Sequence, residues 1–545
     1  MRLSVRQLVG LLLVLLIGSD ARAQTWGSCE AGTAQAFLET PFLKASVFNT
    51  GGLFFGGSTV SGDGYLIPKQ GGTRSPVFAA GLWLGGMVND SVRVAAARYG
   101  GWNFWPGPLE DAATPPVDCS AYDRIYVVSR EDIRRYYRTG ELAEDLRDWP
   151  HQLGAPVIDG DGIEDNYDLR AGDQPDLIGD VATWWVMNDA GNEHPPAYGE
   201  EMGTPPLGVE VRVLAFVYSE GAFSGEHQTT FFRYNITNRG NQPIEKMYAS
   251  MWADLELGGA DDDYIGTDTL RNMVFVYNSD DEDGAYGIPP AWGMQILQGP
   301  VVGEDTLRLT GSSTYYNGPS GTADPGTAEQ YYNYMRSLWA DQTPIREMRT
   351  GYFANGPITT FQYPGDPVTK SFWSEMNSDG NGTKGIDGSK RIVASTGPFR
   401  LAPDSTQTLL YTMPFGQGTN HLHSITVLRG LAGGLQQAHA AGFFASRRVE
   451  EQPVDPATEA LRLSRVAPNP SQGGAIARLH LPTASPVHAA VYDALGRQLE
   501  VLVDGVQPPG ETELAIPEGL APGVYRLRVR VEPGGEDTLT FTVAR

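Results

Sequence analysis

Carboxylates gathered on glycine-containing loops are the side chains of this sequence best suited to chemistry. Asp159-Gly160-Asp161-Gly162 is followed by Asp165, Asp168, Asp173, Asp176 and Asp180. Calcium takes roughly six to eight oxygen ligands and tolerates irregular loops, so Asp159, Asp161, Asp165, Asp168 and Asp173 are candidate ligands. An EF-hand is excluded because Ile163 occupies the third ligand position. A second group joins Asp254 and Glu256 to Asp261, Asp262, Asp263 and Asp268. Like charges this dense repel unless a cation or an arginine compensates them, and calcium is the expected cation here too. Asn377, Asp379, Asn381 and Gly382 open like an EF-hand loop, but Gly388 stands where a bidentate glutamate is required and Asp387 falls one place early. For each group the competing reading is a solvated acidic loop or an Asn/Asp/Gly turn.

Other chemistry is poorly represented. The sequence has no His-Glu-x-x-His, no Gly-x-Ser-x-Gly elbow and no P-loop. His421-x-His423 would present two ligands from one side of a strand, with no third ligand nearby in sequence. Trp83, Trp102, Trp105, Trp184, Trp185, Trp252, Trp292, Trp339 and Trp373 are candidates for a sugar-stacking platform as well as for core. Adjacent residues of a strand point to opposite faces, so of Trp184 and Trp185 one should be buried and the other exposed or covered by a loop. Any two of the many carboxylates meeting in space could serve glycoside hydrolysis. A secreted hydrolase of polysaccharide or protein is therefore the alternative to a non-catalytic binding protein.

The elements that must position these residues read as mainly β. Glycine, proline, tyrosine and tryptophan are plentiful and long helical patterns are few. Short helices are expected over Glu131–Tyr137, Ala328–Trp339 and Ser424–Ala441. Val209–Tyr218, Thr229–Asn238 and Ile244–Leu255 read as an antiparallel meander, and Pro398–Leu401 with Thr406–Phe415 as a strand pair around Ala402-Pro403-Asp404-Ser405. The expected organisation is an N-terminal, mainly β region over 24–200 carrying the Asp-rich loop, a sandwich-like region over 201–448, a linker over 449–460 and a compact sandwich over 461–545. The fold class is thus a multidomain β-sandwich body with a C-terminal Ig-like β-sandwich.

The ends and the composition bear on location. Arg2 and Arg6 precede an apolar run from Leu8 to Ile17, and Ala21-Arg22-Ala23 offers a small-x-small cleavage site, the pattern of a secretory signal peptide over 1–23. That run is too short to span a bilayer, and no later segment reaches the length of a transmembrane helix. Net charge is −25 at pH 7, which disfavours nucleic acid as a partner. Cys29 and Cys119 are the only cysteines. An even count in an exported chain permits one disulfide, the other reading being two separate buried thiols.

In the tail, Leu527, Val529 and Val531 alternate with Arg526, Arg528 and Arg530, and Val524 is counted on the apolar side. Leu539, Phe541 and Val543 repeat the pattern, with Pro508-Pro509-Gly510 and Pro533-Gly534-Gly535 as turns. About seven short strands in this length imply a small Ig-like sandwich. Ala467-Pro468-Asn469-Pro470, Val491-Tyr492-Asp493-Ala494-Leu495-Gly496-Arg497, Leu520-Ala521-Pro522-Gly523-Val524-Tyr525-Arg526-Leu527-Arg528-Val529 and the final Thr538–Arg545 strand follow in that order. Together they resemble the type A C-terminal sorting domain of the type IX (Por) secretion system of Bacteroidetes-like bacteria. The resemblance implies an address read by that secretion machinery, with removal of the domain and attachment to surface lipopolysaccharide as common sequels, and an extracellular or outer-membrane-surface destination. Val543-Ala544-Arg545 ends the chain on arginine where many members have lysine. Gly81-Leu82-Trp83-Leu84-Gly85-Gly86, Phe104-Trp105-Pro106-Gly107-Pro108, Asp254-Leu255-Glu256-Leu257-Gly258 with Asp261–Thr269, and Ser395-Thr396-Gly397-Pro398-Phe399 are similar to the body of secreted surface proteins that carry this domain. That similarity supplies no catalytic residue. The expected function is a calcium-stabilised, non-catalytic scaffold or adhesin-like protein with a glycan or protein ligand.

Overall fold

A computed structural model of the chain describes residues 28–544 except 57–63, 70–73, 100–102, 195–202, 220–224, 317–320, 445–448, 450–461, 464–465, 472–473, 482–483, 495, 509 and 532–534. The signal peptide, most of the linker, Trp102 and Arg545 lie outside the described residues. No described helix is long and apolar enough to cross a membrane.

The body is built on two nine-stranded sheets whose pairings are antiparallel. In the first, Val77–Val88 pairs with Ile244–Leu255, which pairs with Lys390–Leu401, which pairs with Gly311–Tyr316. In the second, the order runs Asp263–Asp268, Met273–Asn278, Ala291–Gln298, Thr406–Gly416, Thr229–Asn238, Val209–Val217, Val181–Asn188. One core lies between them, with Phe54 against Phe232 and the Tyr411 hydroxyl donating 3.1 Å to the Ala249 carbonyl of the facing sheet.

The outward faces are covered as well. The helix Arg130–Thr139 starts at a capping box between Ser129 and Asp132 and stops at Gly140 in the left-handed region, φ 72°. With the loops up to Ile178 it buries Trp184, Val186, Leu214 and Phe216. The helix His421–Ala440, capped by Asn420, covers Tyr264, Phe275 and Tyr277 with Ile425, Leu428 and Ala432. On the first sheet, the helix Ala328–Met335 approaches so closely that a Cβ on Gly85 would stand 2.9 Å from the Met335 sulfur. Double coverage explains why these strands read as apolar runs rather than alternations.

The expected meander is not formed. Val209–Val217 pairs with Thr229–Asn238, but Ile244–Leu255 crosses to the other sheet. Lys390–Leu401 and Thr406–Gly416 likewise lie in different sheets rather than in one pair. The two crossovers are tied at buried Asn238, whose side-chain amide donates to the Gln242 and Leu401 carbonyls while its own backbone N–H donates to Ser405. A residue whose side chain and backbone together satisfy three carbonyls around these corners fixes both at once. Strands from either side of residue 200 pair within both sheets, so the regions 24–200 and 201–448 share one core instead of forming two.

The tail is a second, smaller sandwich. Arg462–Leu463, Ala475–Leu481 and Gly510–Ile516 form one sheet, and Gln498–Gln507, Ser485–Tyr492, Gly523–Val531 and Gly535–Val543 the other. Tyr525, Leu527, Val529 and Val531 point inward. Val524 sits with the arginines on the outer face at 51% exposure, and Tyr525 takes the inward place that strict period two assigns to odd positions. Gly496 adopts φ 78°, and Asp493 accepts from the Arg497 N–H across that turn.

Candidate metal centre

Short strands Val157–Ile158 and Gln174–Pro175 pair and close the neck of the Asp-rich loop. Inside it, backbone N–H groups bend the chain around the carboxylates. Asp159 accepts from Asp161 at 3.0 Å and Gly162 at 2.7 Å, Asp161 from Ile163 at 2.8 Å, and buried Asp173 from Gly160 at 2.8 Å and Asp168 at 2.7 Å. One carboxylate oxygen each from Asp159, Asp161 and Asp173 then lies within 4.8 Å of the others. Among the described residues none of the three is ion-paired. Asp165 is exposed, with φ 65°, and Asp168 accepts from the Arg170 N–H; neither joins the trio.

The second acidic group is divided by its partners. Asp254 faces Arg391 across a strand pair at 3.0 Å and accepts from the Tyr99 hydroxyl, while burial holds its carboxyl above the ordinary range despite the guanidinium. Asp268 is held by Arg271 at 2.9 Å and Arg429 at 3.1 Å. Arginine, not a metal, compensates these two, so they leave the ligand set. Asp261 is exposed. Asp262 and Asp263 remain beside one another with buried Oδ1 atoms that have no hydrogen-bond partner. Burial pushes the Asp263 carboxyl well above its usual value, and the neighbouring Asp262 and Asp283 add to the shift.

The remaining sequence candidates resolve into structure. Asn377 accepts from Gly382 and Asp379 from Asn381, which makes that loop a turn with Gly380 and Gly382 at positive φ. His421 and His423 open a helix rather than a strand; His421 bonds Asp281, and His423 accepts from the Thr419 N–H. Positions two apart on a helix diverge, so they form no paired ligand set. Trp83, Trp105, Trp184, Trp185, Trp252, Trp292, Trp339 and Trp373 are all at most 5% exposed and belong to the cores, not to a surface platform. Both Trp184 and Trp185 are buried, one on each covered face.

Two features escaped the sequence reading. Arg98, buried among Tyr99, Trp252 and Tyr331, pairs with Asp324 at 3.4 Å. Lys390 and Glu375 form a buried pair at 2.9 Å beneath Asp263, whose backbone carbonyl also accepts from the ammonium. Cys29 and Cys119 are joined in a disulfide packed on Trp105, a bond that fits oxidising compartments.

No family model matches the chain, and no curated protein is similar to it. Among solved structures, a polysaccharide lyase aligns at 10% identity and a TM-score of 0.18, over 61% of this chain and 34% of the lyase. The adhesin domain of Epf from Streptococcus pyogenes aligns at 8% identity and a TM-score of 0.13, over 58% of this chain and 80% of that one. The chain spans about a third of the lyase. Likeness at these TM-scores carries no argument about activity, and the mainly β sandwich architecture rests on the strand pairings themselves.

Proposed function

We propose that the chain is an exported surface or extracellular binding protein, adhesin-like and non-catalytic, whose body is stabilised by calcium on the Asp159 loop. The observation that carries the calcium reading is the convergence of Asp159, Asp161 and Asp173 within 4.8 Å on a loop closed by its own strand pair. Hard oxygens at that spacing suit calcium. Export is supported by the Cys29–Cys119 disulfide and by the signal-peptide pattern. The type IX route is supported by the order of motifs in the tail, which the machinery would read as an address. Lipopolysaccharide attachment after sorting, and a glycan or protein as ligand, belong to the same reading.

The test is a thermal melt of the purified protein in chelator and in calcium. A site with a dissociation constant near 10⁻⁴ M adds about 1.4 kcal/mol at about 1 mM calcium. A rise in Tm that Asp161→Asn removes supports the loop as the site; an unchanged Tm rejects it. For the sorting role, a chain cut before residue 461 should stay in the periplasm of its natural host, and normal release would reject the address.

A further inference from the structure

Where the strand Val181–Asn188 ends, the chain is fastened through a buried histidine. His194 is 5% exposed and Asp189 is fully buried. The imidazole meets an acceptor at each nitrogen: Nδ1 lies 2.9 Å from the Val94 carbonyl oxygen and Nε2 lies 2.6 Å from the Asp189 carbonyl oxygen. A carbonyl oxygen only accepts, and a neutral imidazole has a single N–H to donate. Two such bonds need both ring nitrogens protonated. The counter-charge is in place, since Asp189 Oδ2 lies 3.7 Å from Nε2.

The carboxylate is itself fixed from the next strand. Its Oδ2 accepts from the Leu207 N–H at 2.6 Å, and its Oδ1 from those of Gly208 and Val209 at 2.9 and 2.7 Å. Val94 lies on the strand Ser91–Ala96, which pairs with Val77–Val88 in the other sheet. Its N–H and its carbonyl both bond the Thr204 hydroxyl, at 3.3 and 3.2 Å. The ring therefore ties the first sheet to two strand ends of the second. Trp105 stacks on it at 5.7 Å between centroids and packs in turn on the Cys29–Cys119 disulfide.

The charged groups around the ring are few. Arg93, beside Val94, acts on the Asp189 carboxylate and donates to the Pro206 carbonyl at 2.7 Å. Asn103, Thr204 and Tyr331 line a small cavity against the ring, and Arg98 donates to the Tyr331 hydroxyl at 3.2 Å behind it. Glu193 on the same segment is exposed. Burial pushes the Asp189 carboxyl up, and the facing histidine acts the other way.

We infer that His194 is a proton-operated clasp between the two sheets, its imidazolium holding the strand ends at Asp189 and Val209 onto Val94 and releasing them when one proton is lost. Deprotonation turns a ring lone pair onto a carbonyl oxygen and takes the cation away from a buried carboxylate. The native state thus keeps a proton that the unfolded chain gives up, so the stabilisation is complete in mild acid and is lost as pH rises. The inference needs neither calcium nor the export route.

Melts of the full chain at about pH 5 and about pH 8, the range over which imidazoles change charge, test it with the wild type and His194→Gln. A glutamine side chain cannot carry the charge. The variant should melt below the wild type at the lower pH, and the gap should shrink at the higher one. Slopes from carboxylates elsewhere are common to both chains and cancel. A gap of equal size at both pH values overturns the clasp, because the ring would then act by packing alone. Nitrogen-15 NMR of the histidine-labelled wild type needs no variant. The ring in contact with the Trp105 indole should carry two N–H groups at about pH 7, and a single N–H on that ring would overturn the inference as well.

Discussion

The body and the tail are both pairs of antiparallel sheets, but the body covers its strands on two faces and the tail on one. In the tail, Gly523–Val531 alternates buried and exposed residues along its length. In the body, Met273–Asn278 is buried at every position. The difference lies in what the chain places outside the sheets: helices and long loops around the body, solvent around the tail strand. It also decides where charge must be compensated. Outward carboxylates of the body, such as Asp254 and Asp268, are enclosed and need arginines, whereas Arg526 and Arg528 of the tail stand exposed opposite Thr540 and Thr538.

The largest expected effect concerns a staple that the tail lacks. Replacing Cys29 and Cys119 by serine opens a loop of 90 residues and should cost about 4–5 kcal/mol in the chain-entropy model, lowering the melting transition of the body and leaving that of the tail in place. Next, Trp184→Ala, on the outward face of a body strand, should cost about 3–5 kcal/mol as a core truncation does; a loss below about 1 kcal/mol in denaturant melts would mean the outer layer is not a core. Asp268→Asn leaves Arg271 without its carboxylate, while Arg429 keeps Asp366 at 2.7 Å. About 2 kcal/mol is expected, less than for a fully enclosed pair because both guanidinium groups reach solvent.

A pH effect follows in size. Burial, with Asp262 and Asp283 nearby, raises Asp263 well above 3.8, and burial raises Glu375 above 4.5 despite Lys390. In that window the native state holds protons that the unfolded state has lost, so stability in chelator should fall as pH rises above the ordinary carboxylate values, by up to about 1.4 kcal/mol per pH unit for each such proton. Melts of Asp263→Asn across the same pH range should show a flatter slope. The smallest effect is expected in the tail, where Val524→Ser on the outer face should change stability by less than about 0.5 kcal/mol.

The same contrast explains what could be read from residues alone. Where one face meets water, alternation gives the strand and its inward side, and the only slip was to count Val524 with its odd-numbered neighbours. Helix positions were legible to within a few residues, but the caps at Ser129 with Asp132 and at Asn420 went unread, so the last helix was started at Ser424 and His421 was set on a strand. Strand partners in the body were not legible. Thr229–Asn238 and Ile244–Leu255 are separated by a hairpin-like segment, yet the hydrogen bonds of Asn238 turn that segment into a corner between sheets. Of the metal candidates in the first loop, Asp159, Asp161 and Asp173 were all named, but only the neck strands show that these three, and not Asp165 or Asp168, come together. Asp254 looked equivalent to Asp262 and Asp263 because its arginine, Arg391, lies far away in sequence, whereas Asp268 has Arg271 only three residues on, a local signal the sequence reading passed over.

The strand order of the body also governs how the chain reaches its native state. Val77–Val88 cannot complete its pairing until Ile244–Leu255 has been made, and that strand in turn waits for Lys390–Leu401. Such distant pairings give a high contact order and place folding at the slow end, on the order of milliseconds to seconds or longer. During that interval a long apolar strand shows an open edge, the species most prone to aggregate. Refolding yield should therefore fall steeply with protein concentration, and fragments ending before residue 401 should precipitate where the whole body stays in solution.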